Sequence, residues 1–494
     1  MPPGSWGSIP RPSNFSSKAP KIIRRRGIYI RSSVSSRTVT ITITTFHSNM
    51  PKDRSFPMSD TVYDIVGIGF GPSNLALAIA LEEAQSPLSY RFLDAKRQPD
   101  WQDGMLLSGS DIQNNPLRDL VTPRNPRSHY GFVNYLKETG RLFDYLNLPL
   151  AYPLRREYAE YIKWVAGHFL DSVESSARVS KVEPVQLKGQ RLWKVTYNDH
   201  QVIHGRTLVL GTGRTANVPA VFEGLTGPRI FHLNHYLENI HDLPPEVQRI
   251  GVLGSSQSAV EIVLDLSARF ADKDIYALHR SFSFRLKDTS PFSDKVYFPE
   301  FIDYYFALSS EAKARIDRQL RGTNYSSADA DVINALYVRI HEEKLQGKQR
   351  IHILNNTAVE RASLNAAGQV ELALTEVNQL QASHLTLDAL VLATGFKDIA
   401  DKENGELYPP LLEPYHQGFR RDGQGALVVN RDYSLTVLDG LPAVFLNGLC
   451  ESSHGLGDAG SFSLISLRVE RILSALQERL APGQELRSPE PALA

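Results

Sequence analysis

The pattern of apolar and polar positions changes twice between residues 62 and 81. An apolar run from Tyr63 to Ile68 predicts a fully buried β-strand, because short apolar runs closed by turn residues are typical of parallel sheets. A helical apolar stretch from Leu75 to Leu81 follows. The turn between them contains three glycines, Gly67, Gly69 and Gly71. Strand, glycine turn and helix in this order present backbone N–H groups and a helix N-terminus to a pyrophosphate.

A second apolar strand ends at Asp94, where an acidic side chain can accept hydrogen bonds from a ribose hydroxyl. Pro72 stands where a strict G-x-G-x-x-G motif has its third glycine, so the match is imperfect. The flanking strand, the helix and Asp94 nevertheless favour dinucleotide binding over an ordinary tight turn.

Residues 249–264 repeat this design, with a strand from Ile250 to Leu253 followed by a turn and a helix. The turn and helix start contain Gly254, Ser256, Gln257 and Ser258, and Ser256 occupies the place of a second glycine. The next strand ends in Arg280 rather than in an acid. A cation there suits a 2′-phosphate, so the sequence favours NADPH over NADH. A solvated surface charge is the alternative for Arg280.

Residues 290–346 predict three helices, and Ser309 or Ser310 can cap the middle one. Strand signals return at Ile351 to Leu354, Val370 to Leu374 and Leu387 to Ala393. The predicted fold class is therefore α/β, with two Rossmann-like dinucleotide-binding domains and a small helical insert. The loop-rich stretch 96–140, which holds Trp101, is long for a compact domain and is expected to be functional.

Composition excludes several classes of protein. Lys+Arg and Asp+Glu balance at 54 each, so charge makes no case for nucleic-acid binding. No apolar run approaches the ~20 residues of a membrane span. The single cysteine, Cys450, excludes an internal disulfide, a paired-cysteine redox centre and a zinc site of clustered cysteines.

The first 57 residues are rich in Ser, Thr, Arg and Pro, and no acidic residue precedes Asp53. Such a basic, acid-poor segment can be an organelle transit peptide. We favour instead a disordered leader, with Met58 as a natural internal start, and therefore expect a cytoplasmic protein. The tail from Pro482 is rich in Pro and Glu and is expected to be disordered.

Over residues 60–480 the chain resembles the flavin-dependent N-hydroxylating monooxygenases, the ornithine/lysine monooxygenase family of siderophore biosynthesis. The motifs that carry this resemblance are GxGxGPSNLALA at 67–78, GMLL at 104–107, RNPRS and FVNYL within 124–136, GSSQSAVE at 254–261, TNYS at 323–326, ATGF at 393–396 and HGLGD at 454–458. The resemblance implies FAD and NADPH as cofactors, and O2 and a small-molecule amine as substrates.

The resemblance also implies a domain plan. The implied domains are a leader (1–60), an FAD-binding domain (61–235 and 394–480), an NADPH-binding domain (236–288 and 347–393), a helical substrate domain (289–346) and a tail (481–494). The expected cofactor-binding residues are Gly67, Gly69, Gly71, Asn74, Asp94, Trp101, Gln113, Gly254, Ser256, Gln257, Ser258 and Arg280.

Five residues carry the implied amine site. Gln113 matches a glutamine beside the flavin, and Asn324 matches an asparagine that contacts substrate and nicotinamide; both are expected at the catalytic centre. Arg118 stands in place of a substrate-binding lysine, and Asp294 in place of an asparagine. Ser463 aligns best with a substrate-contacting serine, although Ser461 is an alternative. A carboxylate at Asp294 would repel a substrate carboxylate and favour an ammonium.

The activity implied is NADPH- and O2-dependent hydroxylation of the side-chain amine of ornithine or lysine through a flavin hydroperoxide. The product would be an N-hydroxy amino acid for a siderophore or another natural product. A diamine or another amino acid is an alternative substrate, and an NADPH-dependent flavin reductase is an alternative of a different class. The spacing of Phe222, Gly224 and His232 does not fit a Baeyer–Villiger signature. We expect no metal, no catalytic triad, and a loop or flavin-contact role for His454. The resemblance also implies that the protein can form a homo-oligomer.

Overall fold

The computed structural model describes residues 61–400, 405–423, 425–438 and 440–481, together with four short strands before residue 42. Those four strands form two antiparallel hairpins, Arg24–Arg25 with Ile28–Tyr29 and Ser32–Ser35 with Thr38–Ile41. The prediction of a disordered leader did not include these hairpins. The rest of that prediction, and the predicted tail from residue 482, lie outside the described residues.

The main body alternates strands and helices. Its strands are β1 (Val62–Ile68), β2 (Tyr90–Leu93), β3 (Val173–Glu174), β4 (Val179–Leu187), β5 (Gln190–Tyr197), β6 (Gln201–Leu210), β7 (Ile230–His232), β8 (Arg249–Leu253), β9 (Asp274–Leu278), β10 (Ile351–Leu354), β11 (Thr357–Leu364), β12 (Val370–Glu376), β13 (Ala382–Leu387), β14 (Ala389–Leu392) and β15 (Ala443–Leu446). Its helices are α1 (Pro72–Glu83), α2 (Phe132–Glu138), α3 (Leu142–Leu146), α4 (Arg155–Ala166), α5 (Tyr236–His241), α6 (Gln257–Arg269), α7 (Pro299–Phe306), α8 (Ser310–Leu320), α9 (Ala330–Leu345), α10 (Glu451–His454) and α11 (Ile465–Leu480).

The first sheet has seven strands in the order β3–β2–β1–β6–β5–β4, and β15 joins it by pairing with β6. β6 changes partner along its length. Its first half pairs antiparallel with β5, and its second half pairs parallel with β15. β1 runs parallel to β6 on the other side. The carboxyl ends of β1, β2, β6 and β15 therefore lie at one edge, which is where ligands bind in parallel sheets.

α1 follows β1 and is buried on nearly every side, because it packs between this sheet and α11. Every side chain from Asn74 to Leu81 is buried, and the leucines and the isoleucine among them are at most 1% exposed. Each such side chain contributes about 1.5–3 kcal/mol when it leaves water. The helix that begins at the first glycine turn is therefore held rigidly in the core.

The second sheet has five parallel strands in the order β7–β14–β8–β9–β10. A three-stranded antiparallel sheet, β11–β12–β13, lies between β10 and β14 in the chain. The parallel strands in the first, mixed sheet and the all-parallel second sheet confirm the predicted α/β class with two nucleotide-type units. The strand signals near residues 250, 351, 370 and 387 correspond to β8, β10, β12 and the pair β13–β14.

Two boundaries differ from the predicted domain plan. β7 was placed in the first domain, but it pairs with β14 in the second sheet. A three-residue strand is too short to show a periodicity in the sequence. α9 was assigned to the helical insert, but it packs against α6, so it covers the second sheet. α7 and α8 remain as the insert, and Ser309 caps α8 by accepting a hydrogen bond from the Ala312 N–H at 3.3 Å.

Within the described residues, no helix combines the length and the apolar character needed to cross a membrane.

Candidate active site

The first glycine turn is closed on two sides and open on the third. A Cβ on Gly67 would lie 2.2 Å from the Phe92 ring, and one on Gly69 would lie 2.5 Å from the carbonyl oxygen of Gly211. Gly69 also has a left-handed φ of +83°. A Cβ on Gly71 would meet nothing within 4 Å, and no side chain caps the start of α1 there. This open space before uncapped helical N–H groups fits the diphosphate of FAD.

Asp94 stabilises the glycine turn. Its Oδ2 accepts a hydrogen bond from the Phe70 N–H at 2.6 Å, and its Oδ1 accepts one from the Lys96 N–H at 2.7 Å. A carboxylate has about four lone-pair positions, so these bonds leave room for a hydroxyl donor. Asp94 thus lies beside the turn, at the end of β2. Its predicted contact with a ribose stays a prediction.

Asn74 lies behind the turn. Its Nδ2 donates to the Gly69 carbonyl oxygen at 2.7 Å, and its Oδ1 accepts from Asn447 at 3.0 Å. The side chain is fully buried. Because protein groups bind both ends of its carboxamide, this geometry favours a supporting role over the predicted direct cofactor contact.

Trp101 packs edge-on against Tyr158 of α4 and against Phe462, with ring centroids 6.1 and 5.1 Å apart. This contact ties the long loop after β2 to the segment that precedes α11. Phe462 directly precedes Ser463, so this aromatic contact lies next to that serine in the chain.

The second turn approaches β14 as closely as the first approaches β6. Gly254 has a φ of +150°, and a Cβ there would lie 2.3 Å from the Ala393 carbonyl oxygen. Ser256 is the N-cap residue of α6 but makes no side-chain capping bond, and it is half-buried together with Ser258. This second uncapped helix start fits the diphosphate of NADPH.

Gln257 is bound by protein at every polar group. Its N–H donates to the Ser327 carbonyl oxygen at 3.0 Å, and its Nε2 donates to Glu261 at 2.9 Å. Its Oε1 accepts from the Asp329 N–H at 2.8 Å. Gln257 therefore positions neighbouring residues, and its predicted direct contact with NADPH is not what this geometry favours.

Arg280 is exposed and lies directly after the buried His279, at the carboxyl end of β9. An exposed guanidinium at this edge of the second sheet can reach an anionic ligand. Its role with a 2′-phosphate stays a prediction.

The residues expected to bind the amine substrate come together from distant parts of the chain. Arg118 Nη1 donates to Ser463 Oγ at 3.4 Å, and Ser463 Oγ donates to Asn114 at 3.1 Å. Ser461 Oγ lies 2.9 Å from Ser463 Oγ, so both candidate serines are in the cluster, and Ser463 is the one that contacts Arg118. Arg118 and Ser463, each expected to contact the substrate, are thus in contact with each other, and their role with the substrate stays a prediction.

Asp294 lies in the electrostatic field of the same cluster. Partial burial raises the pKa of its carboxyl group, and the charges of Arg118 and Lys287 oppose that rise. Asp294 and Arg118 therefore interact electrostatically, and a carboxylate and a cation that do so suit a ligand with both charges.

Asn324 contacts the turn that precedes the two serines. Its Nδ2 donates to the Leu456 carbonyl oxygen at 3.1 Å and points at Gly460, where a Cβ would lie 2.9 Å from it. The turn that Asn324 contacts leads directly to Ser461 and Ser463. The structure thus places Asn324 at the same site as the serines, beside the predicted substrate contacts.

A buried ionic cluster next to Asn324 was not found from the sequence. Arg214 Nη1 donates to the Tyr325 hydroxyl at 2.8 Å, contacts Asp398 at 3.2 Å and lies 3.7 Å from Glu451 Oε2. Burial raises the pKa of Glu451 to about 8, although Arg214 opposes the shift. Arg214 also borders a cleft of about 270 Å³ at the end of β6. The available signal was the basic residue directly after the glycine turn that ends β6.

A buried ion pair between α4 and α6, which was also not found from the sequence, joins the two nucleotide-type units. Arg155, at the start of α4, makes a bidentate ion pair with Glu261 of α6, with both N–O distances 2.9 Å. Arg155 Nη1 also donates to the Met105 carbonyl oxygen at 3.0 Å. Both side chains are almost fully buried. No local pattern in the sequence marks this pair, because its members are 106 residues apart.

His454 is buried and stacks on Tyr433, with ring centroids 4.0 Å apart. Burial lowers its pKa to about 4, so the ring is neutral near pH 7. Its ring nitrogens face Ser453 Oγ and the Arg431 carbonyl oxygen. These contacts support a role in packing. The described part of the chain contains no group of three or more His, Cys, Asp or Glu side chains that could hold a metal ion.

Comparisons with known proteins agree with this geometry. Residues 61–398 match the family model for L-lysine 6-monooxygenase/L-ornithine 5-monooxygenase. The L-ornithine N(5)-monooxygenase of Pseudomonas aeruginosa is 36% identical over 440 residues, covering 86% of this chain and 96% of that protein.

Two solved structures extend the agreement to the fold. The ornithine N-hydroxylase KtzI of Kutzneria sp. 744, determined with reduced FAD, NADP+ and L-ornithine, superposes with a TM-score of 0.78 at 31% identity and covers 85% of this chain and all of that one (100%). The cadaverine monooxygenase DfoA of Erwinia amylovora, determined with FAD, gives a TM-score of 0.74 at 26% identity over 88% of this chain and 100% of that one. The chain therefore belongs to the L-lysine 6-monooxygenase/L-ornithine 5-monooxygenase family.

Proposed function

We propose that this protein is an FAD-dependent monooxygenase that hydroxylates the side-chain amine of ornithine or lysine, using NADPH and O2. The observation that supports the proposal is that hydrogen bonds and close contacts link the residues expected to bind the amine to both glycine turns. Gly211, which abuts Gly69 of the first turn, is followed closely by Arg214, and Arg214 binds Tyr325 beside Asn324. From the second turn, Gln257 reaches the same site through Asp329 and Gln113.

The bound flavin supplies the oxygen-transfer chemistry, and the chain supplies binding and geometry. Arg118 suits the carboxylate of an amino acid, because a guanidinium binds carboxylates with two parallel hydrogen bonds. Asp294, whose carboxylate interacts electrostatically with Arg118, suits the α-ammonium group of the same molecule. Ornithine and lysine carry both groups at one end, which leaves the side-chain amine to point away from this pair.

The reacting amine must be neutral to act as a nucleophile. An alkylammonium with a pKa of ~10.4 is deprotonated in only about one molecule in 2,500 at pH 7. Burial disfavours the charged form, so an apolar surface formed by Trp101, Tyr158 and Phe462 beside the amine would raise the neutral fraction. The same apolar surface keeps water from the reacting oxygen.

A diamine is a second candidate substrate, and Asp294 is the observation that favours it. A diamine has no carboxylate to pair with Arg118, but its second ammonium can pair with Asp294. The similarity to a cadaverine monooxygenase makes this candidate concrete. A panel of ornithine, lysine, cadaverine and putrescine, scored by hydroxylamine formed per NADPH oxidised, separates the candidates. The proposal predicts that ornithine or lysine gives the highest kcat/KM. A preference for cadaverine or putrescine would support the diamine.

An NADPH-dependent flavin reductase is the alternative of another class. Such an enzyme needs no amine site, whereas this chain assembles Arg118, Asp294, Asn324 and Ser463 around one cluster. NADPH oxidation that is independent of every amine, without hydroxylamine, would support the reductase.

A further inference from the structure

Gln113 is held in an uncommon backbone conformation within the amine site. Its φ is +53°, in the left-handed region, and its N–H donates to Asp111 Oδ1 at 2.8 Å. Residues other than glycine rarely adopt this conformation, and they cluster at functional sites when they do. The next residue, Asn114, binds Ser463. The Gln113 side chain therefore starts from a fixed point beside the Arg118–Ser463 contact.

Asp329 determines which end of the Gln113 carboxamide is used. Gln113 Nε2 donates a hydrogen bond to Asp329 Oδ2. An ionised carboxylate has acceptors and no donors, so it can bind only the NH2 end of a carboxamide. Across residues 61–400 and the later described segments, no protein donor binds Gln113 Oε1. The carbonyl oxygen is thus the end of Gln113 that is left for a ligand.

Asp329 is itself fixed by the second nucleotide unit. Its N–H donates to Gln257 Oε1 at 2.8 Å, and Gln257 Nε2 donates to Glu261 at 2.9 Å. Lys287 Nζ lies 3.9 Å from Asp329 Oδ1 and balances its charge. Asp329 therefore connects α6, which begins at the second glycine turn, with the long loop of the first unit.

We propose that Asp329 is a positioning residue that makes Gln113 present a hydrogen-bond acceptor to the reaction site. This inference rests on the proposed function. The ligand group that fits an acceptor carbonyl is an N–H donor, and the site would contain two of these, on the flavin ring and on the amine substrate. Without the Asp329 carboxylate the carboxamide can rotate, because an Asn at this position can either accept from the NH2 end of Gln113 or donate to its carbonyl oxygen.

The variant Asp329→Asn tests this, because it keeps the shape of the side chain and removes the preference for the NH2 end. Two quantities are measured: the Kd of FAD, from flavin fluorescence released on diluting the holoenzyme, and the KM of ornithine or of the preferred amine. We expect one of them to rise about 3- to 10-fold, the loss expected for one hydrogen bond. A rise in the Kd of FAD identifies the flavin N–H as the donor. A rise in KM with an unchanged Kd identifies the amine.

Asp331→Asn is the matched control. Asp331 is an exposed acid on the same helix, so its replacement removes the same charge without a contact to Gln113. It should change both quantities less than 2-fold. The effect must also depend on Gln113, so Asp329→Asn in a Gln113→Ala background should cause no further change.

Two results would overturn the inference. One is an Asp329→Asn protein whose Kd for FAD and KM for the amine both equal those of wild type. The other is an effect of Asp329→Asn that is just as large when Gln113 has been replaced by alanine. A wild-type protein that binds no FAD and hydroxylates no amine would instead contradict the proposed function, and the inference would fall with it. If wild type does both and Asp329→Asn matches it, only the inference fails.

Discussion

Stability is expected to depend strongly on the buried ion pair between Arg155 and Glu261. Its side chains are 9% and 4% exposed, and its two charged hydrogen bonds are both 2.9 Å long. Glu261→Gln keeps the shape but leaves the Arg155 charge buried without a counter-charge. Removing one partner of a buried ion pair costs about 3–5 kcal/mol. We therefore expect Tm to fall by about 5 °C or more.

The double variant Arg155→Met with Glu261→Met separates the ion pair from packing. Replacing both charges with apolar side chains of similar volume is often nearly neutral, because both desolvation costs disappear. Gln257 and the Met105 carbonyl oxygen each lose a partner, which costs about 1–3 kcal/mol per group. The double variant should therefore lose much less stability than the sum of the two single variants.

Thermal unfolding followed by tryptophan fluorescence measures these effects. Arg206→Gln is the control, because Arg206 pairs with Asp64 at 3.0 Å while 39% exposed, and such pairs contribute about 0–1 kcal/mol. The reasoning is refuted if Glu261→Gln lowers Tm no more than Arg206→Gln does. It is also refuted if the double variant loses as much stability as the two single Met variants lose together.

Three further predictions concern the cofactor, the substrate and pH. Gly69→Ala should weaken FAD binding roughly tenfold or more, because its Cβ would lie 2.5 Å from the Gly211 carbonyl oxygen. Gly189→Ala is the control, because Gly189 has a similar φ of +80° but open space around it, and it should not weaken FAD binding. Equal flavin retention in the two variants would contradict the role of the turn. Arg118→Ala should raise the amine KM about 10- to 100-fold in steady-state assays while FAD stays bound, and loss of flavin would mean that Arg118 is misplaced. Glu451 has a pKa raised to about 8 by burial, so the folded state holds a proton that the unfolded state loses above its ordinary pKa near 4.5. The contribution of Glu451 to stability should therefore be complete below about pH 4.5 and be lost as pH rises to about 8. Glu451→Gln should remove this loss in a Tm–pH series, and parallel curves for both proteins would contradict it.

The sequence predicted the elements that depend on neighbouring residues. Both glycine turns, the helices that follow them and the cap at Ser309 were predictable, because strand, turn and helix signals act over a few residues. The resemblance to a family added Arg118 and Ser463 as separate candidates for substrate binding, and their contact with each other appears only in the structure.

What escaped prediction depends on long-range contacts. Gln113 and Asp329 are 216 residues apart, and Arg155 and Glu261 are 106 apart, so no periodicity can show either pair. β7 has only three residues, which is too short for a periodic signal. Gln257 and Asn74 stand at the sequence positions expected for cofactor contacts. Their side chains instead form hydrogen bonds with other protein groups, which only the folded structure reveals.

The most direct test of the account is the stoichiometry of a single reaction mixture. Purified protein with FAD, NADPH, O2 and ornithine or lysine should form close to one hydroxylamine for each NADPH consumed, and the flavin should remain bound to the protein. The central claim is that the two nucleotide-binding units and the amine site act together. It would be contradicted by protein that carries no flavin and cannot be reconstituted with it, or by protein that consumes NADPH without hydroxylating any amine.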